Sequence, residues 1–206
     1  MDLTQYSHTT YIVAAPLAFV VFLVGLVITL LTVPPSWDLA KENLSNLGGH
    51  PSLLTGICFT VTCFLAGALV AFFGLGKTIY EDGLDKTAGS LFIVSGISLM
   101  LVGLFNTNVY RLHMLVTLFF TTIVVIAICV TSFADILSGD RVMLLLHILT
   151  LILVLVQIPF FTGGAAELMS IIFGALWAEG QLVKYHRRGI SVTRYGVVAP
   201  EPSAEE

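Results

Sequence analysis

The architecture of this chain follows from residues 112–134, which read LHMLVTLFFTTIVVIAICVTSFA. The stretch contains no Asp, Glu, Lys or Arg, and its apolar residues are continuous rather than alternating. At about 1.5 Å of rise per residue, an α-helix of this length crosses the roughly 30 Å hydrocarbon core of a bilayer. A β-barrel strand would instead alternate apolar and polar residues over about 10 positions. We therefore predict a membrane-spanning helix here.

Five further stretches have the same character, which predicts an all-α polytopic membrane protein with a bundle of six transmembrane helices. The composition agrees, because 57% of the 206 residues are apolar, 11% are charged and the mean hydropathy is +0.97. Soluble proteins carry about 25% charged residues. Soluble enzymes, disulfide-rich secreted domains and nucleic-acid binders are thereby excluded. The predicted spans, all in a transmembrane domain of residues 1–183, are Tyr11–Val33, Leu53–Gly76, Thr87–Phe105, Leu112–Ala134, Val142–Phe161 and Ala165–Val183.

The distribution of basic residues predicts the orientation. Six spans put both termini on one side of the membrane, and seven of the nine Lys and Arg residues fall on that side. Because cytoplasmic loops are enriched in Lys and Arg, both termini are predicted to be cytoplasmic, in a multi-pass protein of the cell membrane. Residues 184–206 form a predicted cytoplasmic tail, first basic and then acidic. The seven residues are Lys77, Lys86, Arg141, Lys184, Arg187, Arg188 and Arg194, and the outer two are Lys41 and Arg111.

The longest outer loop, residues 34–52, is predicted to carry a short amphipathic helix over Trp37–Leu47. Ser36 is positioned to cap its N-terminus, and two glycines follow its C-terminus. The apolar face of this helix would lie on the membrane. The opposite face would present polar side chains that include Ser45 and Asn46.

The predicted outer face also collects ionisable side chains. The second outer loop supplies Asn106 and Arg111 and places His113 in the first turn of the fourth span. The third outer loop brings Glu167 within about one helical turn of the surface. Together with His50, these residues share one membrane face and are predicted to converge. Ionisable groups at that depth need a partner or a watery pocket, so they are candidate functional residues.

The cluster has several chemical interpretations. Arg111 would hold an anionic headgroup, His113 is the candidate general base and Ser45 the candidate nucleophile. The sequence contains no GxSxG or HExxH motif, so it leaves open whether the protein is an enzyme. His50, His113 and Glu167 are suitable ligand types for a metal, although they lack a spacing motif. In the structural alternative, Arg111 extends to the interface and Glu167 stabilises a helix N-terminus.

Three functions compete at this stage. The preferred one is binding or modification of a lipid or amphiphile in an outward-facing polar pocket, with membrane lipids as the partner. The first alternative is an accessory or structural subunit of a larger membrane complex, held to other membrane subunits by faces rich in small residues. The second is a redox subunit with haem or quinone at His113 or His147. The sequence identifies no cofactor. Transport is least favoured, because the spans show no charge cluster at mid-membrane.

Two short motifs resemble an uncharacterised membrane family of archaea and bacteria, catalogued as domain of unknown function 998. Residues 44–48, LSNLG, resemble its (I/L)SxLG signature. Residues 103–105, GLF, followed by His113, resemble its second element, although family members often carry proline at the position of Asn106. The resemblance covers about residues 12–181.

That family is distantly similar to the eukaryotic six-helix group that contains the DRAM autophagy modulators and a GPI-lipid remodelling factor. The resemblance implies six helices and lipid-linked work. It marks Ser45, Gly48 and His113 as motif positions and assigns them no catalytic role.

Overall fold

The structure is a computed structural model that describes residues 3–157 and 160–187. In these residues all regular secondary structure is helical, which confirms the predicted helical membrane fold. Two short 3-10 helices, η1 (Leu44–Gly49) and η2 (Thr107–Val109), lie in the loops. The six α-helices are α1 (Leu3–Leu30), α2 (Leu53–Tyr80), α3 (Gly83–Leu104), α4 (Tyr110–Leu137), α5 (Arg141–Gln157) and α6 (Gly163–Arg187).

Five of these helices, α1, α2, α3, α4 and α6, are long and apolar enough to cross a membrane. The described part of α5 is apolar but has only 17 residues. The count of six spans therefore stays a prediction, and so do the cytoplasmic termini. Most of the predicted tail at residues 184–206 lies outside the described residues, which end at Arg187.

Each α-helix packs against the next along the chain, and α6 also packs against α1. The contact between α2 and α3 is the most extensive, and glycines of both helices lie in it. A methyl group at Gly74 would lie only 2.6 Å from the carbonyl oxygen of Gly89. Such close approach gains dispersion energy where the hydrophobic effect does not drive association. By contrast, α5 packs mainly against α6 and much less against α4.

The bundle has two polar ends separated by apolar packing. We call the end that carries η1 and η2 the η end, and it is the end predicted to face outward. We call the other end the charged end. Aromatic rings of Tyr11, Phe73, Phe92 and Trp177 form one hydrophobic cluster in the bundle. A second cluster packs beneath η1 and contains Leu26, Leu44, Leu47, Phe59 and Cys63.

The outer loop differs from its prediction. Instead of one helix over Trp37–Leu47, the chain forms turns and then η1, so Ser36 has no helix to cap. The side chain of Asp38 accepts a hydrogen bond from the backbone N–H of Ala40 at 3.0 Å, a local bond that competes with helix formation. The hydrogen bond from Lys41 to the same carboxylate lowers the pKa of Asp38. The helix prediction was wrong because it rested on the spacing of apolar residues, whereas the Asp38 hydrogen bond favours a turn at this point.

Candidate functional site

At the η end, Glu167 of α6 holds the start of η1. Its carboxylate accepts a hydrogen bond from the backbone N–H of Leu44 at 2.7 Å and a second from that of Ser45. The first turn of α6 also donates to the loop, through the N–H of Gly164 to the carbonyl of Glu42 at 2.7 Å. The carboxylate therefore satisfies the free N–H groups at the start of a helix. The outer loop is fixed to α6 by these bonds.

His113 lies buried in the first turn of α4, with 2% of its surface exposed. Its Nδ1 lies 2.7 Å from the carbonyl oxygen of Phe105, the residue that follows α3. A carbonyl can only accept, so Nδ1 carries a proton, and in the neutral ring Nε2 keeps its lone pair. His113 is also close enough to Glu167 for an electrostatic interaction. This tautomer gives His113 the basic nitrogen that a general base or a hydrogen-bond acceptor requires.

Asn106 lies close to the same residues because η1 packs against it. Its side chain caps η2 by accepting from the backbone N–H of Asn108 at 3.0 Å. A methyl group at Gly48 of η1 would lie 3.3 Å from the Cβ of Asn106, so η1 rests directly on this turn. Asn46 lies half-buried in η1. The structure therefore brings Ser45, Asn46, Asn106, His113 and Glu167 around one 3-10 helix.

Two predicted residues lie apart from this arrangement. Arg111 is exposed at the start of α4. The Nδ1 of His50 accepts a hydrogen bond from the backbone N–H of Ser52 at 3.1 Å, so this ring supports the turn before α2. Among residues 3–157 and 160–187, no group of three or more His, Cys, Asp or Glu side chains is placed to hold a metal ion.

An apolar groove with a volume of about 510 Å³ opens toward the lipid between α1 and α2. It extends from Val20 to Ile28 on α1, about 12 Å along the helix axis, and from Ile57 to Leu65 on α2. This is the half of both helices that leads to the η end. Gly56, next to the groove residue Ile57, packs against the backbone of Gly48 in η1. On α2 the groove therefore ends one residue from the contact between Gly56 and η1.

The sequence did not predict the densest polar cluster of the molecule, which lies at the charged end. Lys77 of α2 contacts Asp85 of α3 at 2.8 Å. Lys184 of α6 pairs with Asp135 of α4 and lies 3.9 Å from Asp85. The Nε2 of His147, on α5, lies 3.1 Å from Asp135. We call these five residues the charge network, which links the helices α2 to α6.

The charge network is almost entirely removed from the surface. The side chains of Lys77, Lys184 and Asp135 are at most 1% exposed, and that of Asp85 is 17% exposed. Two ammonium groups balance two carboxylates, which is the condition for burying charge at tolerable cost. Glu179 of α6, five residues before Lys184, is exposed and lies outside these five residues.

The ligand-binding alternatives at His147 are limited by the same geometry. Its Nε2 faces Asp135, and its Nδ1 accepts from the indole N–H of Trp177 at 3.2 Å. Both ring nitrogens are occupied by protein groups. In this arrangement the imidazole has no free nitrogen for a haem iron or a quinone oxygen.

Comparison with curated proteins and with solved structures gave no significant match in either set. The predicted similarity to the DRAM-like group therefore stays a prediction. The family model of DUF998, described as "Protein of unknown function", matches residues 12–179. This match includes η1, both short motifs and all of α2 to α5. The chain is thus a membrane-spanning helical protein that belongs to the DUF998 family.

Proposed function

We propose that this protein binds a membrane amphiphile at its η end. The hydrocarbon chain lies in the groove between α1 and α2, and the polar head lies against the cluster around η1. The observation that carries the proposal is an apolar groove that ends on α2 one residue from Gly56, which packs against η1 beside the polar cluster. Small-molecule sites have volumes of about 300–1,000 Å³ and pair apolar walls with a few placed polar groups, and the groove falls in this range.

The polar groups at the η end suit a lipid head. His113 keeps an acceptor at Nε2, and Arg111 adds a guanidinium that can bind a phosphate or carboxylate through two donors. The buried indole N–H of Trp37 has no hydrogen-bond partner among the described residues and supplies a further donor at this end. With both termini cytoplasmic, as the basic residues predict, the η end faces the outer leaflet.

Modification of the bound amphiphile is the catalytic form of the same proposal. Nε2 of His113 would take a proton as the general base, and the hydroxyl of Ser45 would be the nucleophile. Glu167 would hold η1, and with it Ser45, through its two backbone hydrogen bonds.

Native mass spectrometry of the protein extracted gently from its own membrane tests the groove. We expect wild type to retain an amphiphile and Val61→Trp, which fills the groove, to lose most of it. Leu118→Trp is the matched control, since Leu118 of α4 is 68% exposed and lies outside the groove. Equal retention in the two variants, or a bare wild-type protein, would contradict the proposal.

A second pair of variants tests the head-binding end. Arg111→Ala should weaken retention of an anionic amphiphile by about tenfold or more, the loss expected for one charge-assisted contact. Lys41→Ala removes an exposed lysine of the same face that already pairs with Asp38, and should leave retention unchanged. If both variants retain the amphiphile equally, Arg111 has no part in binding the head.

A further inference from the structure

The hydrogen bonds around His147 define its protonation state. The indole N–H of Trp177 is a donor only, and it lies 3.2 Å from Nδ1 of His147. Nδ1 must therefore present its lone pair. The ring proton is then on Nε2, which faces the carboxylate of Asp135 at 3.1 Å. In this arrangement His147 donates from Nε2 and accepts at Nδ1, as a neutral imidazole does.

A second proton on His147 would break the hydrogen bond that joins His147 of α5 to Trp177 of α6. Placed on Nδ1, it would set an N–H of His147 against the N–H of Trp177, and two donors cannot bond to each other. Asp135 would keep its bond to Nε2 and would stabilise the new positive charge. The imidazolium can thus form in place, while Trp177 must find another acceptor.

Gln181 offers that acceptor. It lies one turn after Trp177 on α6, and residues four apart share a helix face. Gln181 is 1% exposed, and neither its oxygen nor its nitrogen has a hydrogen-bond partner within the described part of the chain. Buried polar groups without partners are costly, and each one calls for an explanation. A change of partner by Trp177, from His147 to Gln181, would satisfy the amide oxygen.

The surrounding charges favour one added proton. From α4, Asp135 faces His147, and from α6, Lys184 pairs with the same carboxylate. One step further, Asp85 of α3 and Lys77 of α2 form the second pair. Glu81 also acts electrostatically on Lys77, so carboxylates outnumber ammonium groups while His147 is neutral, and a proton on His147 adds positive charge beside a carboxylate.

We propose that His147 is a proton-binding site and that its occupancy controls the packing of α5 on α6 at the charged end. The packing of α5 on α6 can change when His147 is protonated, because α5 packs only weakly against α4. The same contact is tight near His147, where a methyl group at Gly180 would collide with the side chain of Leu146. The ligand is a proton taken up from the cytoplasm, because the predicted orientation puts the charged end on that side of the membrane.

Fluorescence of Trp177 tests this proposal in the full-length protein in lipid nanodiscs. The chain has two tryptophans, so Trp37→Phe leaves Trp177 as the reporter. An imidazolium quenches a neighbouring indole, so emission should fall as the pH is lowered from about 8.5 to about 4.5. His147→Gln in this background should lose the titration, and His113→Gln should keep it.

Each result decides the proposal. The Trp37→Phe protein keeps His147 and the rest of the charge network. Emission from this protein that does not change with pH would overturn the proposal. The same titration in His147→Gln would assign the proton to another group and also overturn it. Should His147→Gln fail to fold, Trp177→Phe with Trp37 retained serves instead. Its emission is expected to be constant, and an identical titration there would overturn the proposal.

Discussion

Removal of Lys184 from the charge network should be the most damaging single change at the charged end. Its ammonium group pairs with Asp135, which is fully buried on α4, and lies 3.9 Å from Asp85. In Lys184→Met, Asp85 still has Lys77, but Asp135 loses the ammonium group that pairs with it and keeps His147. Loss of one partner of a buried ion pair costs about 3–5 kcal/mol, because a charge is left uncompensated.

A double variant separates the orphaned charge from the lost packing. Asp135→Asn removes the negative charge and keeps an oxygen that can accept from His147. We therefore expect Lys184→Met/Asp135→Asn to recover about 2 kcal/mol or more of the loss in Lys184→Met. The matched control is Lys86→Met, which removes an exposed lysine of α3 and should change stability by less than about 0.5 kcal/mol.

The assay is reversible unfolding in mixed micelles with increasing denaturing detergent, followed by far-UV circular dichroism. Interhelical hydrogen bonds in membrane proteins contribute about 0.6 kcal/mol on average. A loss of only that size in Lys184→Met would show that Lys184 is one more hydrogen-bond donor and not the counter-charge of Asp135. Strictly additive losses in the double variant would refute the reasoning in the same way.

The remaining predictions concern contacts between helices. Glu167→Ala should lower the free energy of unfolding by about 2 kcal/mol, because η1 loses two hydrogen bonds to a carboxylate, and Glu179→Ala on the exposed face should not. Gly74→Val should cost about 2 kcal/mol or more, since its side chain would enter the α3 backbone, and Ala68→Val on the lipid-facing side should cost little. Detergent unfolding measures both pairs, and equal effects within a pair would contradict the contact concerned. The thiol of Cys63, 1% exposed, should react with a maleimide only after unfolding, whereas the exposed cysteine of α4 reacts in the folded bundle.

The sequence predicts the helical fold well because that fold depends on short-range information. The length of a continuous apolar stretch identifies a membrane helix, whatever other helices pack against it. The connections at the η end are short, so Asn106, His113 and Glu167 are carried to one face by the ends of their helices. The hydrogen bonds that fix them, from Leu44 to Glu167 and from His113 to Phe105, depend on packing and were not predictable.

The charge network escaped prediction for a physical reason. Lys77, Asp135 and Lys184 each directly follow the last apolar residue of a predicted span, where a charged side chain usually reaches the interface. Here the helices continue beyond those positions, to Tyr80, Leu137 and Arg187, and the side chains turn inward. The sequence carried one signal of this pairing. Lys77, Asp135 and Lys184 are opposite charges that follow spans ending on the same side of the membrane.

The two ends of the bundle hold α6 in different ways. At the η end, Glu167 and Gly164 bind the outer loop through the backbone. At the charged end, Lys184 binds Asp135 in an ion pair, and Trp177 donates a hydrogen bond to His147. Since apolar surface gains little by association in lipid, these polar contacts determine where α5 and α6 stand relative to the other helices. A proton at His147 would therefore act at the end of α6 that is held by side-chain contacts.

Photo-crosslinking with a phospholipid that carries a diazirine in its acyl chain tests amphiphile binding most directly. The protein is labelled in its native membrane, and the modified peptides are mapped by mass spectrometry. Adducts should concentrate on the two groove segments, residues 20–28 of α1 and residues 57–65 of α2. They should decrease in Val61→Trp and persist in Leu118→Trp. Adducts spread evenly over all lipid-facing helices, with as many at the exposed Leu115 and Leu118 as in the groove, would contradict the proposed site.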